Sequence, residues 1–242
     1  MAEVQERADV GERGAPAYRT APSVARYEFA ARWVKDGMTI LDFACGTGYG
    51  AGYLSVAERT KVIGLDNAVD AVTQARRRYR AQGAEFAAGD AKAFPFGAAT
   101  FDLIVCMETI EHVADVDALL SEVKRVLRPD GTVLFSTPNK LLHSPNSEKP
   151  LNPYHVVEYT IEQFREVLAP HVVIDEMYGQ QPQDPARSAA LRWAPTGALR
   201  RMAVNLPFVA AIFSKGASRF VTEGLEQCRF FFAACRQRTD VT

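Results

Sequence analysis

Short apolar runs alternate with stretches whose apolar residues recur every three or four positions, and this rhythm organises most of the chain. Five runs read as buried strands, at 39–43, 61–66, 84–88, 101–107 and 131–137. The stretches between them fit helices at 48–58, 68–81, 115–127 and 160–168, with another expected from Ser23 to Val34. Strands alternating with helices predict a parallel sheet joined by right-handed crossovers. Pro129-Asp130-Gly131 is expected to make a tight turn that opens the fifth strand. A sixth strand is placed at 171–177 and a last one at 228–235, Cys-Arg-Phe-Phe-Phe-Ala-Ala-Cys.

The rhythm fails in two places. Residues 1–21 are polar, rich in Gly and Ala and aperiodic, so a flexible segment is expected ahead of one domain over 22–242. A helical insertion is expected at 182–223. It carries Arg187, Arg192, Arg200, Arg201, Lys215 and Arg219 with no acid among them. Apolar residues, Trp193, Leu199, Met202, Phe208 and Ile212 included, are interleaved, which fits two amphipathic helices broken near Pro207. These form either a lid with its basic face in water, or a cationic surface for an anionic or lipid-linked substrate or a membrane.

Composition narrows the class. A chain of 242 residues is long enough for one sizeable core. Its 28 basic and 29 acidic residues nearly cancel, which indicates no nucleic-acid partner. Cys45, Cys106, Cys228 and Cys235 lack metal-ligand spacing, and three lie in apolar runs, as thiols do in a reducing, cytoplasmic setting. The amino end has no apolar signal-peptide core, and no apolar run reaches the roughly 18 residues that a membrane span needs.

Candidate chemistry gathers at the strand ends. In Leu41-Asp42-Phe43-Ala44-Cys45-Gly46-Thr47-Gly48-Tyr49, a strand closes on an acid and a Gly-x-Gly turn opens the next helix. Glycines let a ligand approach the backbone closely, and nucleotide cofactors sit at such turns. Gly46-x-Gly48-x-x-Ala51 also fits a dinucleotide fingerprint, but Asp42 would repel a pyrophosphate. A cofactor with a cationic amino-acid end, such as S-adenosylmethionine (SAM), suits it better. Asp66 ends the second strand about 20 residues on, where an acid accepts ribose hydroxyls. Asp90 follows the third strand, placed for an adenine amine, and Glu108-Thr-Ile-Glu111-His112 follows the fourth.

With these motifs the chain resembles the class I SAM-dependent methyltransferases over about residues 22–178 and the last strand. The resemblance implies a Rossmann-like, seven-stranded, mostly parallel sheet with an antiparallel last strand and helices on both faces. It implies a SAM site formed by Asp42, Ala44, Cys45, Gly46, Gly48, Tyr49, Asp66, Asn67, Asp90, Ala91, Met107 and Glu108. Ala44 departs from the pattern, since many members have glycine there. Asn152-Pro-Tyr-His155-Val-Val-Glu158-Tyr159 resembles a loop that borders the acceptor in small-molecule methyltransferases, including those of sugar and polysaccharide biosynthesis.

On the acceptor side, His155 is expected as base or substrate clamp, His112 as a second base or a loop-holding residue, and Glu111 as an orienter. Thr160 with Gln163 reads as a capping box. Expected partners are a small molecule or glycan, methylated on a hydroxyl oxygen with nitrogen or carbon left open, and with peripheral membrane contact and a homodimer left open beside a monomer. No metal is expected, because transfer from a sulfonium needs none. A non-catalytic SAM-binding sensor and a membrane-docked enzyme with a lipid-linked acceptor are the alternatives.

Overall fold

The computed structural model describes residues 17–56, 59–182 and 218–238. Five strands run parallel: β1 (Thr39–Phe43), β2 (Lys61–Asp66), β3 (Ala84–Ala88), β4 (Phe101–Met107) and β5 (Leu127–Pro138). With β6 (Val172–Pro182), β7 (Ser218–Val221) and β8 (Phe230–Gln237) they form one sheet in the order β3-β2-β1-β4-β5-β8-β6-β7. β8 runs antiparallel between β5 and β6, as expected of the last strand. Strand order reverses between β1 and β4, the switch point where open α/β sheets bind ligands.

Each face of the sheet buries its own core, because strand residues alternate. Leu41 and Phe43 of β1, Ile104 and Cys106 of β4, Val133 and Phe135 of β5, and Phe231 and Ala233 of β8 point to one side. They pack against α4 (Val116–Val126) through Leu119, Leu120 and Val123, and, beyond the one-turn α5 (Lys140–His143), against α6 (Ile161–Leu168) through Ile161, Phe164 and Leu168. Ile40, Leu103, Val105, Leu134 and Phe232 point to the other. There they meet α1 (Ala17–Ala30), α2 (Tyr49–Leu54) and α3 (Val69–Tyr79). Thr160 caps α6 reciprocally with Gln163, as the sequence predicts. All four cysteines are buried thiols.

Several boundaries differ from the sequence reading. α1 starts at Ala17, inside the segment expected to be flexible, and ends before a single 3₁₀ turn at Ala31–Trp33. β5 starts at Leu127, and Arg128–Gly131 bulge out between the Phe101–Leu127 and Leu103–Thr132 pairs. The Pro-Asp-Gly stretch therefore bends a strand already begun. β6 runs on to Pro182, where its last four residues pair with β7. Thus the seven expected strands carry a short eighth at the edge, and residues 218–221 are strand where a helical insertion was expected. The basic helices expected around Arg187, Trp193, Arg200 and Arg201 fall outside the described residues. Among the described residues, no helix is long and apolar enough to cross a membrane.

Candidate active site

The turn after β1 is a cradle of backbone. Ala44, Gly46 and Gly48 take φ values of +56°, +54° and +87°. The Cys45 amide bonds to Leu65 O at 3.1 Å, and the Gly46 amide bonds to Asp66 Oδ2 at 2.8 Å, so β2 fixes the loop. Gly48 packs against Ala75 and Phe86, leaving no room for a side chain. At Gly46 an added Cβ would meet nothing within 4 Å, because that side of the cradle is open. Ala44 sits in the left-handed region at a cost of about 1–2 kcal/mol. Glycine's extra chain entropy costs about 0.5–1 kcal/mol, less than that strain. Ala44→Gly is therefore expected to raise the melting temperature by about 2 °C. Calorimetry would check it, and a fall would mean that the methyl's packing outweighs the strain.

Asp42 lies beneath this loop, fully buried. Its Oδ1 accepts the Tyr27 hydroxyl at 2.7 Å, and Oδ2 has no hydrogen-bond partner of ordinary geometry. Burial pushes the carboxyl up to about 7, although Tyr27 and the Ala51 amide pull it back. Tyr49 meets the Tyr27 ring edge-on at 5.1 Å. Asp66 is buried and accepts the Ala68 amide at 2.9 Å with its other oxygen. Asn67 and Asp90 are exposed, Ala91 is half-buried, and Asp90 accepts the Lys92 amide at 2.8 Å. Met107 is buried beside Glu108, whose φ of +50° is uncommon for a non-glycine residue and marks local strain. Ser136 holds Glu108 Oε1 at 2.8 Å.

The acceptor-side candidates converge. The peptide oxygen of Glu111 accepts the amides of Val156 and Val157 at 2.8 and 3.2 Å, which draws the 152–158 loop onto the turn after β4. His112 and His155 meet edge-to-face with ring centres 4.9 Å apart. His112 Nδ1 lies 3.0 Å from Tyr154 O, which only accepts, so Nδ1 carries a proton and the neutral ring's lone pair is on Nε2. His155 Nδ1 donates to Glu158, a buried carboxylate, at 2.7 Å. Asn152 Oδ1 accepts the Tyr154 amide, which turns its NH₂ toward His155 Nε2 at 2.9 Å. Glu111 is fully buried: Thr137 donates to Oε2 at 3.0 Å, and Oε1 has no partner. Burial, with Glu108 nearby, holds its carboxyl well above the usual range.

Residues 41–135 match the family model described as a methyltransferase domain. Over these residues the chain is similar to SAM-dependent methyltransferase domains. It is 39% identical over 132 residues to a protein of Mycolicibacterium smegmatis named "Probable S-adenosylmethionine-dependent methyltransferase", covering 54% of this chain and 50% of that one. It is 36% identical over 117 residues to the fatty-acid O-methyltransferase of the same organism, covering 48% and 43%. Against the phthiotriol/phenolphthiotriol dimycocerosates methyltransferase of Mycobacterium leprae it is 35% identical over 101 residues, covering 41% and 37%. The chain thus spans about half or less of the length of these relatives. In fold it is similar to the PH0226 protein of Pyrococcus horikoshii, with TM-score 0.63 at 15% identity over 98% of this chain and 99% of that one. The [4+2]-cyclase SpnF gives TM-score 0.64 at 18% identity over 94% and 85%.

SAM is the cofactor of this class of methyltransferase domain, and the site fits it. Asp42 Oδ2 awaits a donor, as a methionine ammonium supplies, and the open side of Gly46 admits close approach to the backbone. Two site residues were missed in the sequence. Tyr27 reaches Asp42 from α1, and Arg26, also buried, lies 3.8 Å from Glu108 while donating to Gln180 at 2.9 Å. The one signal for them was the apolar period of α1, which predicts burial but names no partner.

Proposed function

We propose that the protein is a methyltransferase acting on a hydroxyl of a small-molecule or glycan acceptor, which it activates at Glu111, His112 and His155. The observation that carries this reading is the convergence of a buried carboxylate and two imidazoles next to Glu108 and the SAM cradle. An oxygen lone pair forms the new C–O bond while the S–C pair returns to sulfur, leaving neutral S-adenosylhomocysteine. Alignment supplies most of the rate, with effective molarities of roughly 10⁵–10⁸ M. The hydroxyl must also lose its proton, and help with that step is worth about 10²–10⁴-fold. An imidazole, or a Lewis acid held by one, gives that help.

His155→Ala is expected to lower transfer by about 10²-fold or more while S-adenosylhomocysteine affinity stays near wild type. Turnover at the wild-type rate would sink the assignment. The acceptor class is read by following labelled methyl from SAM into polar, lipid and macromolecular fractions of a host extract.

A second reading places the hydroxyl on a lipid or lipid-linked acceptor. Leu141, Leu142, Leu151 and Val156, each at least 44% exposed, lie within the segment that flanks His155. Two of the relatives are named for lipid acceptors, which supports the same direction. Label in the lipid fraction would favour it over a soluble sugar.

A further inference from the structure

Potential ligand atoms of Glu111, His112 and His155 all lie within 4.8 Å of one another. Metal bonds of about 2.0–2.2 Å hold neighbouring donors about 3.0–3.6 Å apart, so the rings and the carboxyl must swing inward by roughly an ångström to close on an ion. Two further observations separate this trio from an ordinary polar cluster. Glu111 Oε1 is fully buried and has no hydrogen-bond partner, so one oxygen of the acid lacks the contact that a bound cation would supply. Each imidazole also donates its Nδ1 proton to an oxygen, the Tyr154 carbonyl for one and the buried Glu158 carboxylate for the other. That outer hydrogen bond is the one that orients histidines bound to metals and raises their basicity, and it leaves Nε2 of both rings as the ligating atom.

We infer that Glu111, His112 and His155 form a divalent-cation site, with Oε1 and the two Nε2 atoms as ligands. Two imidazoles and one carboxylate suit Mn²⁺, Fe²⁺, Co²⁺ or Zn²⁺ better than Mg²⁺ or Ca²⁺, which prefer all-oxygen sites. Asn152 donates one neutral hydrogen bond to His155 Nε2, and a metal–nitrogen bond outcompetes it. Three protein ligands leave coordination positions for an acceptor oxygen. The inference rests on the acceptor-side reading above and gives it a Lewis acid that lowers the hydroxyl's pKa, the proton leaving to water. Sequence spacing concealed the site because His155 reaches it from a separate loop.

The test is calorimetric titration of Mn²⁺ into the full chain, with pulsed electron paramagnetic resonance on the bound ion. Tight binding with nitrogen couplings from two imidazoles is expected. Glu111→Gln should weaken Mn²⁺ by about 100-fold or more, and Glu158→Gln by about 10–100-fold. The resonance on wild type stands even if a variant folds poorly. No binding, no nitrogen coupling, or unchanged affinity in Glu111→Gln would overturn the inference. Titration of S-adenosylhomocysteine on the same samples separates the two proposals. Methyl transfer undiminished in EDTA, by a protein that binds no Mn²⁺, sinks the cation site and leaves the methyltransferase reading. Mn²⁺ bound through two imidazoles in a protein that takes up no S-adenosylhomocysteine does the reverse.

Discussion

Gly48→Ala is expected to destabilise the protein by about 3 kcal/mol or more, a fall in melting temperature of roughly 6–12 °C. Two costs combine there. The residue sits at φ +87°, where a Cβ is strained by about 1–2 kcal/mol. The new methyl would also stand 2.6 Å from Ala75 Cβ and 2.7 Å from the Phe86 ring. Relieving that overlap means moving α3 or β3 side chains, an overpacking cost of about 1–3 kcal/mol. Gly46→Ala provides the contrast: its φ is +54° and its Cβ meets no atom. It should cost only about 1–2 kcal/mol of stability while weakening cofactor binding, because the methyl fills the open side of the cradle. Thermal melts alongside calorimetric titration distinguish the two glycines. A Gly48→Ala protein that melts at the wild-type temperature would refute the packing argument.

Replacing Asp42 by Asn should separate folding from binding in the opposite sense. Burial raises the Asp42 carboxyl to about 7 in the folded chain, whereas the unfolded chain has its ordinary value. Between about pH 4 and 7 the folded state therefore holds a proton that the unfolded state has released. The group's contribution to stability is fully present below that window and is lost as pH rises through it. Asp42→Asn, which cannot ionise, should remove this loss and raise the melting temperature at pH 8 by about 3 °C or more. The same change removes the negative charge that would face a methionine ammonium. Affinity for S-adenosylhomocysteine is expected to fall by at least about tenfold, one unit of pKa-equivalent free energy. In wild type, affinity should weaken as pH drops below about 7, because protonation of Asp42 competes with the ammonium. In Asp42→Asn this dependence should vanish. A pH-independent wild-type affinity would argue against an ammonium at Asp42.

What was legible in the chain follows from physical range. The central strands were readable because a strand buried on both faces is a continuous apolar run, as in Leu103–Met107 and Phe230–Cys235. Asp42, Asp66 and Glu108 were readable because they interrupt or end those runs. β7 was not, since four residues, Ser-Arg-Phe-Val, gain strand character only by pairing with β6. The bulge of Arg128–Gly131 reads as a simple turn in the sequence because Pro-Asp-Gly signals a bend without saying which side of it is paired. Tyr27 and Arg26 were hidden for the same reason as the cation site: each depends on elements distant in sequence. For His155, the notable point is its surroundings. Asn152, Tyr154 and Glu158 lie within three residues of it and bond within the loop, whereas the contact with Glu111 that sets the loop beside His112 comes from a distant element.

β8 is made last among the described strands but occupies the middle of the sheet, flanked by β5 and β6. While the chain emerges from the ribosome, the cofactor half can assemble from β1 to β5, but the free edge of β5 stays open to solvent. That edge carries Val133, Leu134 and Phe135, all fully buried in the finished fold. Unpaired apolar edges recruit other chains. The interval between synthesis of β5 and arrival of residues 230–237 is thus when the nascent protein most needs a chaperone, and a ribosome stalled within it would leave a sticky, half-built sheet.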